Sequence, residues 1–234
     1  MRRKILLLYC LWCEDEIVLQ VSWINFIGRE QQNEICTQCA KQLVELNGKR
    51  CLKCSRETSE SICYDCERWD LFYNQRDPLT WNYSIFHYNS FIKEVITQWK
   101  YRGDYALVKI FKNAIIKQFK FFVTKVEHPY IVVPIPLSEE RLYERGFNQA
   151  ESLAKYISTK QDQILVRVNS EKQSKRTRSE RLLSKNPFQM NMTIYKSVIL
   201  VDDIYTTGST LRQAASLLKN SGCPNVYSYT LVRG

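Results

Sequence analysis

The segment Val198-Ile199-Leu200-Val201-Asp202-Asp203-Ile204-Tyr205-Thr206-Thr207-Gly208-Ser209-Thr210 restricts the possible folds of this chain more than any other. Four consecutive apolar residues suit a parallel strand covered on both faces. The carboxylates and polar turn that follow then fall where open α/β sheets bind ligands, beyond the strand ends. Leu211 to Lys219 continues with helical composition. The turn thus feeds a helix N-terminus, whose free N–H groups and positive dipole end favour a phosphate. Gly208 permits positive φ and close backbone approach, and the hydroxyls of Thr206, Thr207, Ser209 and Thr210 can donate to phosphate oxygens. Asp202 and Asp203 only accept, which suits a neighbouring diol or a bound Mg²⁺. The combination points to a phosphorylated sugar rather than a bare phosphate. The chain has no G-x-x-x-x-G-K-[ST] sequence, so a nucleoside triphosphatase P-loop is not supported. The competing structural reading is an ordinary strand, polar turn and helix capped by Ser209 or Thr210.

A second segment has the same character. Ile131-Val132-Val133-Pro134-Ile135-Pro136-Leu137-Ser138 is a short buried-strand pattern broken by prolines, followed by Arg141 and Arg145-Gly146-Phe147-Asn148-Gln149. The prolines end strand pairing and stiffen the exit, while the arginines offer forked donors suited to a diphosphate. Ser138, Arg141 and Arg145 are the candidate contacts. The same arginines also fit surface charges on an amphipathic helix.

Cysteines dominate the N-terminal third. Cys10-x-x-Cys13, Cys36-x-x-Cys39, Cys51-x-x-Cys54 and Cys63-x-x-Cys66 account for eight of nine, leaving Cys223. A two-residue gap lets both thiolates of a tight knuckle reach one Zn²⁺, and two knuckles complete a four-sulfur site. Eight sulfurs imply two ions. The simplest grouping is sequential, with Cys10, Cys13, Cys36 and Cys39 in one site and Cys51, Cys54, Cys63 and Cys66 in the other; a RING-like interleaved grouping is the alternative. Disulfides and thioredoxin-like redox chemistry are the competing uses of such pairs. Four thiolates fill a zinc shell, so both ions are expected to be structural. His87 and His128 follow no ligand spacing and are expected to be ordinary structural or surface residues.

Residues 198 to 210 resemble the phosphoribosyl-diphosphate (PRPP) signature of type I phosphoribosyltransferases. That resemblance implies that Asp202 and Asp203 hold ribose hydroxyls and that Thr206, Thr207, Gly208, Ser209 and Thr210 cradle the 5′-phosphate. Together with Lys100-Tyr101-Arg102-Gly103-Asp104, the V-P-I-P-L and R-G-F-N-Q segments resemble the ComF (ComFC) family over nearly the whole chain. The resemblance implies a type I phosphoribosyltransferase-like parallel sheet with flanking helices and an N-terminal zinc-ribbon-type module. It also implies PRPP bound with Mg²⁺, a role in natural transformation, and single-stranded DNA and a ComFA-type helicase as partners. It leaves retention of catalysis open.

A chain of 234 residues, 44% of them hydrophobic, is long enough for one packed domain and a small accessory module. The expected division is a cysteine-rich double zinc module over 1–69, a link over 70–80 and the phosphoribosyltransferase-like domain over 81–234. Strands are expected at Tyr83–Tyr88 as an edge, Ile131–Ile135, Ile164–Val168, Val198–Asp202 and Val226–Val232. Helices are expected at Phe91–Tyr101, Tyr105–Phe122, Glu139–Ser158 and Ser209–Asn220. This alternation argues for a parallel sheet with helices on both faces.

Net charge is +10, which favours a polyanionic partner. The cations cluster from Arg167 to Lys185, where Lys172, Lys175, Arg176, Arg178 and Arg181 are the candidate nucleic-acid contacts on a long polar loop; a solvated charged loop is the alternative. Thr177 is followed by Glu180 where the family pattern has glutamine, so a glutamine-dependent contact is not expected. Trp69, Phe72, Tyr73, Trp81, Tyr83 and Phe86 offer either base-stacking surfaces or domain packing. The apolar run Ile5–Tyr9 is too short for a signal peptide, and no stretch has the length of a membrane span. The expected compartment is the cytoplasm.

Overall fold

The computed structural model describes residues 8–17, 34–101, 103–168, 186–190 and 192–234. Its centre is the apolar run at 198–201, which lies within β5 (Ser197–Tyr205). Side chains alternate across a strand, and here the alternation sends Ile199 and Val201 into one core and Val198 and Leu200 into another. All four are fully buried. At about 1.5–3 kcal/mol per large apolar side chain removed from water, this run anchors the sheet from both sides.

Three further strands complete a parallel sheet: β1 (Trp81–His87), β2 (Tyr130–Pro134) and β6 (Val226–Arg233), in the order β1-β6-β5-β2. Register places Val198 opposite Ile131 on one side and Val226 on the other. Among the described residues, the helices of the domain are α3 (Ser90–Tyr101), α4 (Lys112–Val123), α5 (Glu139–Arg145), α6 (Gln149–Ala154) and α7 (Ser209–Asn220). The N-terminal third contributes α1 (Thr37–Lys41) and α2 (Tyr64–Phe72).

Three expected elements come out differently. The helix expected over Glu139–Ser158 is divided: Gly146 takes φ +73° as the left-handed cap of α5, and Asn148 caps α6 by accepting from the Ala150 N–H at 2.9 Å. The expected Tyr105–Phe122 helix begins as a 3₁₀ segment, Tyr105–Phe111, before α4. The expected strand at Ile164–Val168 is only β3 (Val166–Arg167), paired antiparallel with β4 (Phe188–Gln189) outside the main sheet. Two residues of pairing cannot carry a central strand, and Val166 is exposed.

β1 is the sheet edge, as expected, and the cysteine region covers it. Val44 accepts from the His87 N–H at 3.0 Å, the Leu46 N–H donates to Ile85 at 2.8 Å, and Lys53 accepts from the Asn82 N–H at 2.8 Å. An edge whose backbone groups are taken in this way is closed to strand addition. Behind it, buried Asn82 gathers hydroxyls from both strands. Its amide donates to the Ser84 Oγ at 2.8 Å, and its carbonyl oxygen accepts from Ser228 at 2.8 Å and Thr230 at 3.2 Å. Asn82 also donates to the Cys54 carbonyl at 3.3 Å, tying this polar layer to the cysteines.

The aromatics at the junction are mostly packing residues. Trp69, Tyr83 and Phe86 are buried, and Trp81 meets Phe122 edge-on at 4.9 Å. Among the six, only Phe72 is substantially exposed. No helix among the described residues is long and apolar enough to cross a membrane.

Candidate functional site

β5 ends in the acid pair. The Asp203 N–H donates to Asp202 Oδ1 at 2.9 Å, which holds the two carboxyls side by side. Asp203 is nearly buried and forms an ion pair with Lys100, reaching in from the last turn of α3. Burial, then the adjacent Asp203 charge, pushes the Asp202 carboxyl up to about 8, with Lys100 pulling the other way. This shift favours the protonated form of Asp202 near neutral pH, and a bound cation would favour the ionised one.

The turn beyond the pair is rigidly built. Gly208 has φ +76°, and a Cβ there would lie 2.2 Å from the Tyr205 hydroxyl and 2.4 Å from Arg212 Nη1. Only glycine fits this combination of conformation and crowding. Gly208 is itself the N-cap of α7 and no side chain caps the helix, so neither Ser209 nor Thr210 plays the capping role open to them in the sequence. Apart from the Ser209 N–H, the first-turn amides have no side-chain cap and are open to a ligand. Ser209 and Thr210 are half-buried on that turn, and Thr206 is exposed. The Thr207 hydroxyl accepts from the Ser209 N–H at 3.3 Å.

Beneath the turn sits a buried cation layer. Arg212 is 1% exposed. Its Nε and Nη2 grip Asp77 at 2.8–3.1 Å, its Nη1 donates to the Tyr205 hydroxyl at 2.7 Å, and its guanidinium lies 4.6 Å from the Trp69 ring centre. Such a buried charge is tolerable only because its partners are all present. Nothing in the sequence separated this arginine from an ordinary helical cation.

More cations approach from the second loop. Ser138 caps α5, accepting weakly from the Arg141 N–H at 3.4 Å, and Arg141 is exposed. Arg145 turns instead toward Gln149 Oε1 at 2.9 Å and over the Tyr101 ring at 5.3 Å. Arg167 on β3 falls below its ordinary value through burial and then the charge of Arg141, while Asp202 acts in the opposite sense. Arg167 is thus close enough to feel the charges of both Arg141 and Asp202. Sequence reasoning assigned Arg167 only to the start of the basic loop and gave Lys100 no separate role. The pairing of Lys100 with an aspartate more than a hundred residues away has no local signal. The candidate nucleic-acid contacts Lys172, Lys175, Arg176, Arg178 and Arg181 lie outside the described residues, as do Thr177 and Glu180.

The cysteines assemble in the sequential grouping. Cys10, Cys13, Cys36 and Cys39 form one group and Cys51, Cys54, Cys63 and Cys66 the other, each with its sulfurs within 4.8 Å of one another. Cys13 and Cys36 sulfurs are 3.7 Å apart, and Cys54 and Cys63 3.6 Å. A tetrahedral zinc with bonds of about 2.3 Å requires edges of about 3.8 Å, so both sets fit the ion. The Cys63 N–H donates to Cys51 Sγ at 3.3 Å and the Cys39 N–H to Cys36 Sγ at 3.5 Å, as suits thiolate acceptors. Cys223 is separate: buried, raised by that burial, and directed to the carbonyls of Lys196 and Asn225. His87 pairs with Glu57 at 3.0 Å and is a member of neither group.

Comparison with known proteins agrees with this geometry. Residues 142–234 match the family described as "Phosphoribosyl transferase domain". The chain is 37% identical to "Competence protein ComFC" of Bacillus subtilis (strain 168), with 97% of this chain and 95% of that protein aligned. It is 30% identical to "Competence protein ComFC" of Streptococcus pneumoniae (strain ATCC BAA-255 / R6), over 96% of this chain and 99% of that one. Among solved structures, a hypoxanthine phosphoribosyltransferase from Staphylococcus aureus is similar at 18% identity and TM-score 0.32, covering 52% of this chain and 62% of that one. Identities of 37% and 30% over nearly the full length of both ComFC proteins place the chain in the ComFC family of competence proteins.

Proposed function

We propose that the protein acts in DNA uptake, handling incoming single-stranded DNA in the cytoplasm beside a ComFA-type helicase, and that its pocket binds PRPP or a closely related sugar phosphate. The observation that carries the pocket reading is the convergence of Asp202 and Asp203 with the glycine turn at the N-terminus of α7. In this reading the carboxylates take the ribose hydroxyls together with Mg²⁺, and residues 206–210 take the 5′-phosphate. Ser138 and Arg141 take the diphosphate, joined by Arg167, which feels the charge of Arg141, and Arg145 joins them only by turning from Gln149. The names of the relatives support the DNA role, as does the net charge of +10. The sequence at 169–185 supplies cations to track phosphates. Residues 1–69 serve as a zinc-held docking module, 70–80 as its link and 81–234 as the ligand-binding domain.

A transferase reading rests on separate observations, the ion pair of Lys100 with Asp203 and the placement of Arg167 within reach of both Asp202 and Arg141. Cations placed there would neutralise departing diphosphate as positive charge develops at the ribose C1 carbon. Calorimetric titration with PRPP and Mg²⁺ tests the pocket. Binding to the wild type and its loss in the double variant Asp202→Asn, Asp203→Asn support the assignment, and unchanged affinity in that variant removes it.

A further inference from the structure

The turn that faces the ligand is held from behind. Its carbonyls at Tyr205, Thr206 and Thr207 accept from a set of buried donors. Arg233, at the end of β6, donates through Nη1 to the Tyr205 carbonyl at 3.2 Å and the Thr206 carbonyl at 3.0 Å. The Trp69 indole N–H donates to the Thr207 carbonyl at 2.9 Å. In a trans peptide the C=O and the following N–H point in opposite directions. Fixing these three carbonyls therefore aims the N–H groups of Thr206, Thr207 and Gly208 at the opposite side of the turn, where an anion would sit.

Both holding groups are linked to the second cysteine cluster. Trp69 lies one turn after Cys66 on α2, so the cluster sets its position. The other Arg233 nitrogen, Nη2, lies 3.6 Å from Cys54 Sγ. Four thiolates around one Zn²⁺ leave a net charge of −2, and a buried guanidinium beside one sulfur offsets part of it. Arg233 is 6% exposed, so this contact is little screened by solvent. The two clusters also divide between the two cores. Cys51, Cys54, Cys63 and Cys66 pack in the core that contains Tyr205 and Leu211 from either side of the turn, whereas Cys10 and Cys39 pack in the other. Among the described residues the first cluster makes no hydrogen bond to the turn.

We propose that Arg233 and Trp69 are positioning residues that couple the Cys51/Cys54/Cys63/Cys66 cluster to the phosphate-binding turn, so that metal retention at this cluster and sugar-phosphate binding reinforce each other. Thermodynamic linkage makes the effect reciprocal: whatever factor the metal contributes to ligand affinity, the ligand returns to metal retention. The coupling rests on the pocket reading above only for the identity of the ligand. The hold on the turn itself does not depend on it.

The experiment uses the zinc-loaded full chain, with Arg233→Met, Arg233→Lys and Trp69→Phe variants, and two readouts. The first is backbone amide exchange over residues 205–210 without ligand. Arg233→Met is expected to speed exchange there at least about tenfold, with zinc content unchanged, and Arg233→Lys to restore part of the protection because one ammonium reaches one carbonyl. The second readout is the rate of cysteine alkylation in the presence of a chelator, resolved by mass spectrometry into the two clusters. PRPP with Mg²⁺ is expected to slow alkylation of Cys51, Cys54, Cys63 and Cys66 at least threefold and to leave Cys10, Cys13, Cys36 and Cys39 unchanged. The protection should disappear in Arg233→Met and weaken in Trp69→Phe. Equal exchange in wild type and both disruptive variants overturns the proposal, as does bound PRPP that protects neither cluster or both alike. Failure of PRPP to bind the wild type counts against the pocket reading instead, and the exchange readout then decides the coupling alone.

Discussion

Replacing Gly208 with alanine isolates the packing that shapes the site. Its φ of +76° costs a residue bearing a Cβ about 1–2 kcal/mol. The new carbon also meets the Tyr205 hydroxyl at 2.2 Å and Arg212 Nη1 at 2.4 Å, well inside contact distance. These two groups are bonded to each other at 2.7 Å, and Arg212 is fixed by Asp77, so they cannot separate freely. Losing one hydrogen bond to a buried charge adds about 1.5–3 kcal/mol. The total is about 2.5–5 kcal/mol, or a fall in melting temperature of about 5–20 °C for a domain of this size. Gly103→Ala is the control, because Gly103 has φ +69° but nothing within 4 Å of a Cβ, leaving only the backbone cost. Denaturation with zinc present gives both values. A Gly208→Ala loss no greater than that of Gly103→Ala refutes the claim that the turn is locked onto Arg212.

Three further outcomes are expected. Because the shift favours the protonated form of Asp202 up to about pH 8 in the free site, affinity for PRPP with Mg²⁺ should rise about tenfold per pH unit between 6 and 8 and level off above; calorimetry in buffers of differing ionisation heat would show the released proton. Elemental analysis should return two zinc ions per chain, and one or none overturns the double-cluster reading. Affinity for an unstructured oligonucleotide should fall with salt at a logarithmic slope of about −3 to −4 if Lys172, Lys175, Arg176, Arg178 and Arg181 each meet a phosphate; a flat profile excludes that loop.

What was legible in the sequence follows from how local each signal is. The apolar run before Asp202, the glycine turn and the cysteine knuckles are contiguous patterns, and the strand, turn and both clusters formed from them. The long helix expected after Pro136 failed at Gly146, because a glycine cap followed by an asparagine N-cap outweighed the propensities on either side. The strand expected at Ile164–Val168 failed because apolar residues alone cannot say which partner lies alongside, and among the described residues it pairs with Phe188–Gln189, outside the main sheet. The supports of the site were invisible for a related reason. Lys100 reaches Asp203, Asp77 grips Arg212 and Trp69 meets Thr207 across separations of more than a hundred residues, and such contacts exist only once the sheet has ordered its strands.

The central claim is that the acid pair and the turn beyond it grasp one sugar phosphate. Backbone amide chemical shifts followed during titration with PRPP and Mg²⁺ test it most directly. The largest saturable changes are expected at Asp202, Asp203 and Thr206 to Thr210, with smaller ones near Arg141. Saturable binding whose shifts leave those residues unmoved would contradict it.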